Sequence, residues 1–109
     1  MGINERRDSR RIHVERNVIL NADRIAPQFC KMRNLSTTGA YIEVPENSLR
    51  RDMEVRLIVT VPSASEQGIA KIEHWPAKVV RVTEKGIGVE LGDLDVEAMG
   101  TVLSMVYSN

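Results

Sequence analysis

The chain has 109 residues, of which 42% are hydrophobic and 28% are charged, and its 15 basic residues balance its 15 acidic ones. This composition and length are typical of one soluble globular domain and exclude a disordered or fibrous protein. No apolar run approaches the roughly 18 residues of a membrane-spanning helix, and no apolar segment follows the arginine-rich start, so we expect a cytoplasmic protein without a membrane span.

The first residues concentrate positive charge. The stretch "ERRDSRR" at residues 5–11 holds four arginines, and residues 5–16 hold five arginines against three acids, whereas residues 90–109 hold four acids and no Lys or Arg. A planar guanidinium binds a phosphate through two hydrogen bonds and also lies flat against an aromatic base. The N-terminal segment is therefore expected to face an anion, although such a charge run is also typical of a solvated arm.

Short runs of alternating apolar residues follow, separated by turn residues. From Met53 the run "MEVRLIVTV" places every second side chain on one face, which is the pattern of a half-buried strand. The other predicted strands are "HVERNVIL", "PQFCKMRN", "AYIEV", "AKVVRVT" and "GIGVELG". Six strands with no helical pattern between them favour an all-β antiparallel barrel or sandwich, and closing a barrel removes the exposed edge strands.

The segment "NLSTTG" between the second and third predicted strands is a candidate binding element. Asn34 and Ser36 occupy alternate positions at a strand end, so their polar side chains point to the same side. Gly39 permits a positive φ or a close backbone approach. The segment is expected to form a small hydrogen-bonding platform, although an ordinary hairpin turn with locally satisfied Asn and Ser side chains fits the same residues.

The end of the chain changes to helical periodicity. Apolar residues after Asp95 recur at three- and four-residue spacings, which predicts an amphipathic helix over residues 95–107 with Asp93 or Asp95 as its N-cap. Gly100 in its middle costs about 1 kcal/mol relative to Ala. The helix is therefore expected to depend on packing against the strands.

The sequence indicates neither a metal site nor a catalytic site. Cys30 is the single cysteine and is predicted to be a packed, unreactive thiol on a strand. His13 and His74 lack metal-ligand spacing. No nucleophile–histidine motif or glycine-rich phosphate loop is present, so we expect a binding protein rather than an enzyme.

Two motifs taken together resemble those of the PilZ domain family, whose members are receptors for the bacterial second messenger cyclic di-GMP. Arg7-x-x-x-Arg11 is followed by Asn34-x-Ser36-x-x-Gly39 in the order and at the separation found in the family. The segment "ERRDSRRIHV" is similar to the family's opening, "NLSTTGAYIE" to its second motif, and "KVVRV" with "GIGVEL" to its closing strands. The resemblance therefore covers nearly the whole chain.

The resemblance implies a position for the ligand on the outside of the barrel. Arg7 and Arg11 would contact phosphate and guanine edges, and Asn34, Ser36 and Gly39 would hold a guanine and its neighbouring backbone. The O6 and N7 acceptors of guanine match the guanidinium fork. No further cofactor and no metal are implied.

The resemblance also implies the architecture and the ligand stoichiometry. Residues 1–12 would form a flexible arm that carries the arginine motif, and residues 13–109 a six-stranded antiparallel PilZ-type β-barrel with a C-terminal α-helix packed on it. The arm would become ordered on binding and signal to a protein partner. An arginine immediately before the first motif, here Arg6, is associated in the family with a stacked ligand pair, so two cyclic di-GMP molecules per chain are expected.

Two positions depart from the family's commonest pattern. Asn34 stands where aspartate is frequent; it still accepts a hydrogen bond but brings no charge. Several relatives carry a base-stacking tryptophan at about the position of Arg81, whose guanidinium plane is a candidate replacement. Trp75, the single tryptophan, lies six residues earlier and is predicted to pack in the core.

A nucleic-acid-binding barrel that uses the same arginines on a phosphate backbone is the alternative. One Trp, two Tyr and one Phe leave few aromatic platforms for base stacking, and the net charge is zero. Both features favour the small ligand, and no nucleic-acid partner is expected. The downstream protein effector, the regulated process and the oligomeric state are left open by the sequence.

Overall fold

The computed structural model describes residues 10–45, 48–61 and 70–108. Six strands and one helix follow in chain order: β1 (Arg11–Ala22), β2 (Ile25–Ser36), β3 (Gly39–Glu43), β4 (Glu54–Val61), β5 (Lys71–Val82), β6 (Gly86–Leu91) and α1 (Val96–Tyr107). The predicted all-β class with a C-terminal helix is confirmed.

The six strands close into one antiparallel barrel in the order β1-β2-β3-β6-β5-β4, and pairing of β4 with β1 completes the circle. Four of the six pairings join consecutive strands, whereas β3–β6 and β4–β1 join strands that are distant in the chain. Because every strand has two neighbours, the described barrel exposes no edge of the kind that promotes aggregation.

Strand β4 shows how alternation builds the core. Its four inward side chains, Val55, Leu57, Val59 and Val61, are buried, whereas Glu54, Arg56 and Thr60 between them are exposed. The same alternation fills the barrel interior from the other strands. The fully buried large side chains there are Trp75, Leu20, Met32, Leu35, Ile42, Leu57, Ile87, Val59 and Val79.

The hairpin between β1 and β2 is longer than predicted. The sequence suggested a broad turn over residues 21–27, but β1 continues to Ala22, which pairs with Ile25. The connection is only Asp23 and Arg24, and Arg24 adopts a φ of 66°. A non-glycine residue in the left-handed region is uncommon, so this tight turn was not readable from its residue types.

Strand β5 is also longer than predicted, because it begins at Lys71 rather than at Ala77. Pro76 lies inside this strand, and proline has no N–H to donate to a strand ladder. However, the Pro76 carbonyl accepts from the Gly92 N–H, and β6 pairs with β5 only from Ala77 onward. In a strand the N–H and C=O of one residue face the same side, so the amide missing from proline lies beyond the β6 ladder.

Helix α1 packs mainly against β2 and β5 and adds Ala98, Val102 and Val106 to the core. Its N-cap is Asp95, whose Oδ1 accepts from the Ala98 N–H at 2.8 Å. The predicted helix and one of its two candidate caps are therefore confirmed. Packing of this buried face offsets the cost of Gly100 in the helix interior.

A buried carboxylate joins α1 to the barrel. Glu73 on β5 is 6% exposed, and its Oε1 accepts from the Trp75 indole N–H at 3.0 Å. Its Oε2 accepts from the Thr101 hydroxyl at 2.7 Å and lies 3.6 Å from the Lys71 ammonium. These donors replace the water that burial removes from the carboxylate. Glu73 was not singled out from the sequence.

Candidate functional site

The start of β1 and the end of β2 bring the two sequence motifs into contact. Arg11 is paired with Ser36 across the strands, and His13 with Asn34. The exposed Arg11 side chain reaches diagonally along the sheet and donates from Nη1 to Asn34 Oδ1 at 3.1 Å. One guanidinium and one amide, 23 positions apart in the chain, therefore share a surface and offer several hydrogen-bonding groups to a ligand.

The Ser36 hydroxyl is occupied by its own turn. It accepts from the Thr38 N–H at 3.2 Å and from the Gly39 N–H at 3.1 Å, and it lies within hydrogen-bond distance of the Gly39 carbonyl at 3.3 Å. Ser36 is only 1% exposed. This hydroxyl therefore fixes the β2–β3 turn, and the direct ligand contact expected of it stays a prediction.

Gly39 begins β3 at a close approach of two backbones. A Cβ at this position would lie 2.6 Å from the carbonyl oxygen of Val89 on β6. Its φ lies outside the left-handed region. Gly39 was expected to adopt a positive φ or to allow a close backbone approach, and the structure shows the close approach. With a side chain at this position, β6 could not pair with β3 at the observed distance.

A row of outward-facing residues extends from this motif across the barrel. The register pairs His13 with Asn34, Asn34 with Tyr41, Tyr41 with Gly88, and Gly88 with Arg81. Directly paired residues lie on the same face of a sheet. Asn34 and Arg81 therefore belong to one continuous face. Three strand spacings, about 14 Å, separate them.

The Arg81 side chain lies flat on the barrel because its cross-strand partner has no side chain. A Cβ on Gly88 would be 3.6 Å from the Cβ, Nε and Nη2 atoms of Arg81. Tyr41 lies beside this pair, and its hydroxyl is 2.8 Å from the Thr83 hydroxyl. An open depression of about 580 Å³ is lined by Tyr41, Arg81, Thr83, Glu84 and Lys85.

Two other arginines, Arg33 and Arg16, are paired within the protein. Arg33 donates from Nη1 to Glu15 at 2.9 Å, and its Nε lies 3.7 Å from a Glu43 oxygen. The Arg16 side chain donates to the Thr60 carbonyl. Arg11 and Arg81 instead present exposed guanidinium groups on the outer face, so they are the described arginines best placed to meet an anion there.

Part of the predicted site lies outside the described residues. Arg6 and Arg7 both fall in the segment before residue 10, so their expected contacts stay predictions. The first described arginine, Arg10, has its guanidinium carbon 5.7 Å from the centre of the Tyr107 ring. The chain therefore enters β1 next to the C-terminal end of α1.

The described residues contain no group of three or more His, Cys, Asp or Glu side chains that could hold a metal ion. Cys30 is buried, and burial raises the pKa of its thiol to about 11. A thiol with this pKa is almost entirely protonated at neutral pH and is a poor nucleophile. Within the described part of the chain, no helix is long and apolar enough to cross a membrane.

A family comparison decides the assignment of this barrel. The model of the PilZ domain matches residues 5–108, which include both arginine and Asn-x-Ser-x-x-Gly motifs. The chain belongs to the PilZ domain family. The resemblance inferred from the two motifs is thereby confirmed, and with it the PilZ type of the barrel.

Two solved structures share the fold of this PilZ domain. The Bacillus subtilis inhibitor of motility, MotI/DgrA, has a TM-score of 0.74 and 15% identity, covering 93% of this chain and 49% of that one. The PilZ domain of CeSA from a cellulose-synthesizing bacterium has a TM-score of 0.66 and 18% identity, covering 92% and 97%. This chain thus spans about half of MotI/DgrA. The search of curated proteins gives no match.

Within this PilZ domain, Trp75 is fully buried and donates to Glu73, so the prediction that it packs in the core is confirmed. Tyr41 lies on the candidate face but was not named as a candidate residue from the sequence, although it belongs to the quoted segment "NLSTTGAYIE". Its signal was its position two residues after Gly39, because alternate strand residues share a face. No comparable local signal connects Arg81 with Tyr41, since the two meet only through β6.

Proposed function

We propose that this PilZ domain is a cytoplasmic receptor for cyclic di-GMP that binds the ligand on the outer face between Arg11 and Arg81. The observation that carries the proposal is the contact of Arg11 with Asn34, which joins the two family motifs on one surface. Membership of the PilZ family supports the choice of ligand.

The chemistry of the face suits a guanine dinucleotide. The Arg11 guanidinium matches either a phosphate or the O6 and N7 acceptors of guanine. The Asn34 amide offers both a donor and an acceptor, so it can serve a base edge while Arg11 turns from it toward the ligand. Tyr41 and the flat guanidinium of Arg81 present planar surfaces against which a guanine can stack.

The arm before β1 completes the proposed receptor. Arg6 and Arg7 bring two more cations to a ligand that carries two phosphates, and bidentate contacts order the backbone that bears them. The bound ligand and the ordered arm then form a surface that the free protein lacks, and a downstream protein partner recognises it. The proposed activity is binding and signalling rather than catalysis.

Calorimetric titration with cyclic di-GMP tests the proposal, with GTP as the competitor. We expect saturable binding of cyclic di-GMP that persists when a large excess of GTP is present. GTP is a weak competitor because it supplies one guanine and a different phosphate arrangement. Equal displacement by GTP, or no heat of binding in a protein shown to be folded, would overturn the assignment.

A nucleic-acid backbone is the competing anion, and salt dependence separates the two. The logarithm of the binding constant falls with the logarithm of salt concentration by about 0.7–0.9 per neutralised phosphate. A dinucleotide therefore gives a shallow slope, whereas a longer polyanion gives a steep one. Binding of single-stranded oligonucleotides with a steep slope, at lower concentrations than cyclic di-GMP, would favour the alternative.

A further inference from the structure

The outward side of α1 carries a row of apolar side chains, and the one charged residue of the helix, Glu97, lies in its first turn. Val96, Met99, Leu103 and Tyr107 recur at spacings of three, four and four residues, which places them on one side of the helix. They are 88, 37, 41 and 55% exposed, while the opposite side of α1 is buried in the core. A helix that is apolar on both sides is typical of one covered on both sides, so a second element is expected on this face.

The middle of this face is open enough for another helix to approach closely. Gly100 lies on it between Val96 and Leu103, and a Cβ at Gly100 would have no neighbouring atom within 4 Å. A glycine at the centre of a helical face lets a partner backbone or a large side chain come close. A leucine from a second helix would fit opposite this position.

The two ends of the face carry opposite charges. Asp93, Asp95 and Glu97 lie at the N-terminal end, and residues 90–109 contain no Lys or Arg. At the C-terminal end, the Arg10 guanidinium lies over the Tyr107 ring at 5.7 Å. The surface is therefore acidic at one end, apolar in the middle and basic at the other end.

We propose that this face binds α1 of a second copy of this chain, with the two helices antiparallel about a twofold axis. Antiparallel packing pairs Val96 with Tyr107 of the partner subunit and Gly100 with Leu103 of the partner subunit. Both pairs have the same midpoint along the helix, so one axis satisfies them together, as an isologous interface requires. The same arrangement brings Arg10 beside the acidic end of the partner's helix, whereas parallel packing would bring the acids of both copies together.

The size of the face sets the expected strength of the contact. Twelve helical residues extend about 18 Å, and a stable interface usually buries about 800 Å² on each partner. One short helix provides less area than that. The dimer is therefore reversible and dissociates on dilution. Any contact that the barrels of the two copies make adds to the area buried by α1.

Sedimentation equilibrium over about 1 to 500 µM tests the association. We expect the mass to rise from that of the 12.2 kDa chain toward twice that value. Leu103→Glu places a charge in the centre of the interface and should weaken association at least tenfold. Phe29→Glu is the matched control, because Phe29 is 80% exposed on β2 and the same charge enters the barrel face instead. Circular dichroism checks that both variants fold.

The result that overturns the proposal is a monomer mass for the unmodified protein at the highest concentration, or association that Leu103→Glu leaves unchanged. Dissociation by Phe29→Glu alone would also overturn it, because the contact would then lie on the barrel.

A charge exchange tests the orientation of the two helices. Arg10→Glu should weaken the dimer, and adding Asp93→Lys should restore it if the helices are antiparallel; no restoration would exclude that orientation. Asp93 is chosen because Asp95 caps α1 and Glu97 pairs with Lys71.

Discussion

Arg11 and Asn34 are the pair on which the candidate site depends. The Arg11 side chain is exposed, and among the described residues it donates a hydrogen bond to Asn34. Exposed polar contacts of this kind contribute little to stability, with typical values below 1 kcal/mol. The same groups contribute more to a bound anion, because hydrogen bonds to charged partners are stronger than neutral ones.

Arg11→Ala is therefore expected to separate binding from stability. Loss of one charge-assisted contact of about 1.5–3 kcal/mol corresponds to roughly 10- to 100-fold weaker binding of cyclic di-GMP, while the melting temperature changes little. Arg56→Ala is the matched control, since Arg56 is an exposed arginine on β4 paired with Asn21, ten residues along β1 from Arg11. That distance is about 33 Å of strand.

Titration calorimetry and thermal melting of both variants check this prediction. Normal binding by Arg11→Ala would remove Arg11 from the site. Equal weakening by Arg56→Ala would show a general effect of net charge rather than a contact.

Gly39 is expected to be intolerant of any side chain because of its close approach to β6. Gly39→Ala places a Cβ about 2.6 Å from the Val89 carbonyl oxygen, so the β3–β6 pairing must shift. Overpacking of this kind typically costs about 1–3 kcal/mol, and Gly39→Val should cost more than Gly39→Ala. Gly100→Ala is the control, because open space surrounds that position.

Urea denaturation of the three glycine variants measures these costs. A Gly39→Ala protein as stable as the unmodified one would show that β6 is free to move away from β3 at this point.

At the scale of elements, one buried carboxylate provides the polar part of the attachment of α1 to the barrel. Glu73 on β5 receives the Trp75 indole N–H and the Thr101 hydroxyl, and Thr101 belongs to α1. The Ala98, Val102 and Val106 side chains supply the apolar part of the same contact. Polar and apolar contacts therefore fix the helix against the closed barrel together.

Glu73→Ala is predicted to destabilise the fold by about 2–3 kcal/mol, because it leaves the buried Trp75 N–H without its acceptor. Glu73→Gln keeps an acceptor and should lose less. The matched control is Glu97→Ala: Glu97 pairs with the same Lys71 but is 72% exposed, so its removal should change stability by less than about 0.5 kcal/mol.

Chemical denaturation monitored by the fluorescence of Trp75 measures the free energy of unfolding of each variant. Equal losses for Glu73→Ala and Glu97→Ala would mean that the contact with Lys71, and not the buried network, stabilises the junction.

At the scale of the whole molecule, Arg10 and Arg11 connect the barrel face with α1 at the start of β1. Arg11 faces Asn34 on the sheet, and the neighbouring Arg10 faces Tyr107 on the helix. If the arm orders on a ligand, both the sheet face at Arg11 and the helix contact at Arg10 are therefore expected to change. This proximity gives the proposed receptor a route from its ligand to a partner protein.

The stoichiometry of ligand binding tests the role of the arm. We predict two cyclic di-GMP molecules per chain, because Arg6 adds a third guanidinium to Arg7 and Arg11 and offsets the repulsion among four phosphate charges held close together. Arg6→Leu should move the ratio toward one while binding remains measurable. Calorimetric titration at known active concentration measures both ratios, and Arg24→Leu provides a control for the loss of one arginine.

A ratio of one for the unmodified protein, or an unchanged ratio in Arg6→Leu, would show that Arg6 takes no part in holding a second ligand.

The sequence by itself determined the class of strands, the helix and the two motifs, because each is encoded within a short window. Alternation in β4, the Asp95 cap with the apolar spacing of α1, and the Asn34-x-Ser36-x-x-Gly39 segment all depend on neighbours fewer than about twelve residues away. A periodic pattern fixes which side of an element is buried without reference to the rest of the chain.

The tertiary structure alone decided which residues meet. Closure of β1 on β4 and of β3 on β6 sets the row from Asn34 through Tyr41 to Arg81, the close approach of Gly39 to Val89, and the burial of Glu73 beneath α1. These contacts join residues that are distant in the chain, and their register depends on how six strands close together. Local periodicity is the same for several registers, so only the closed barrel selects one.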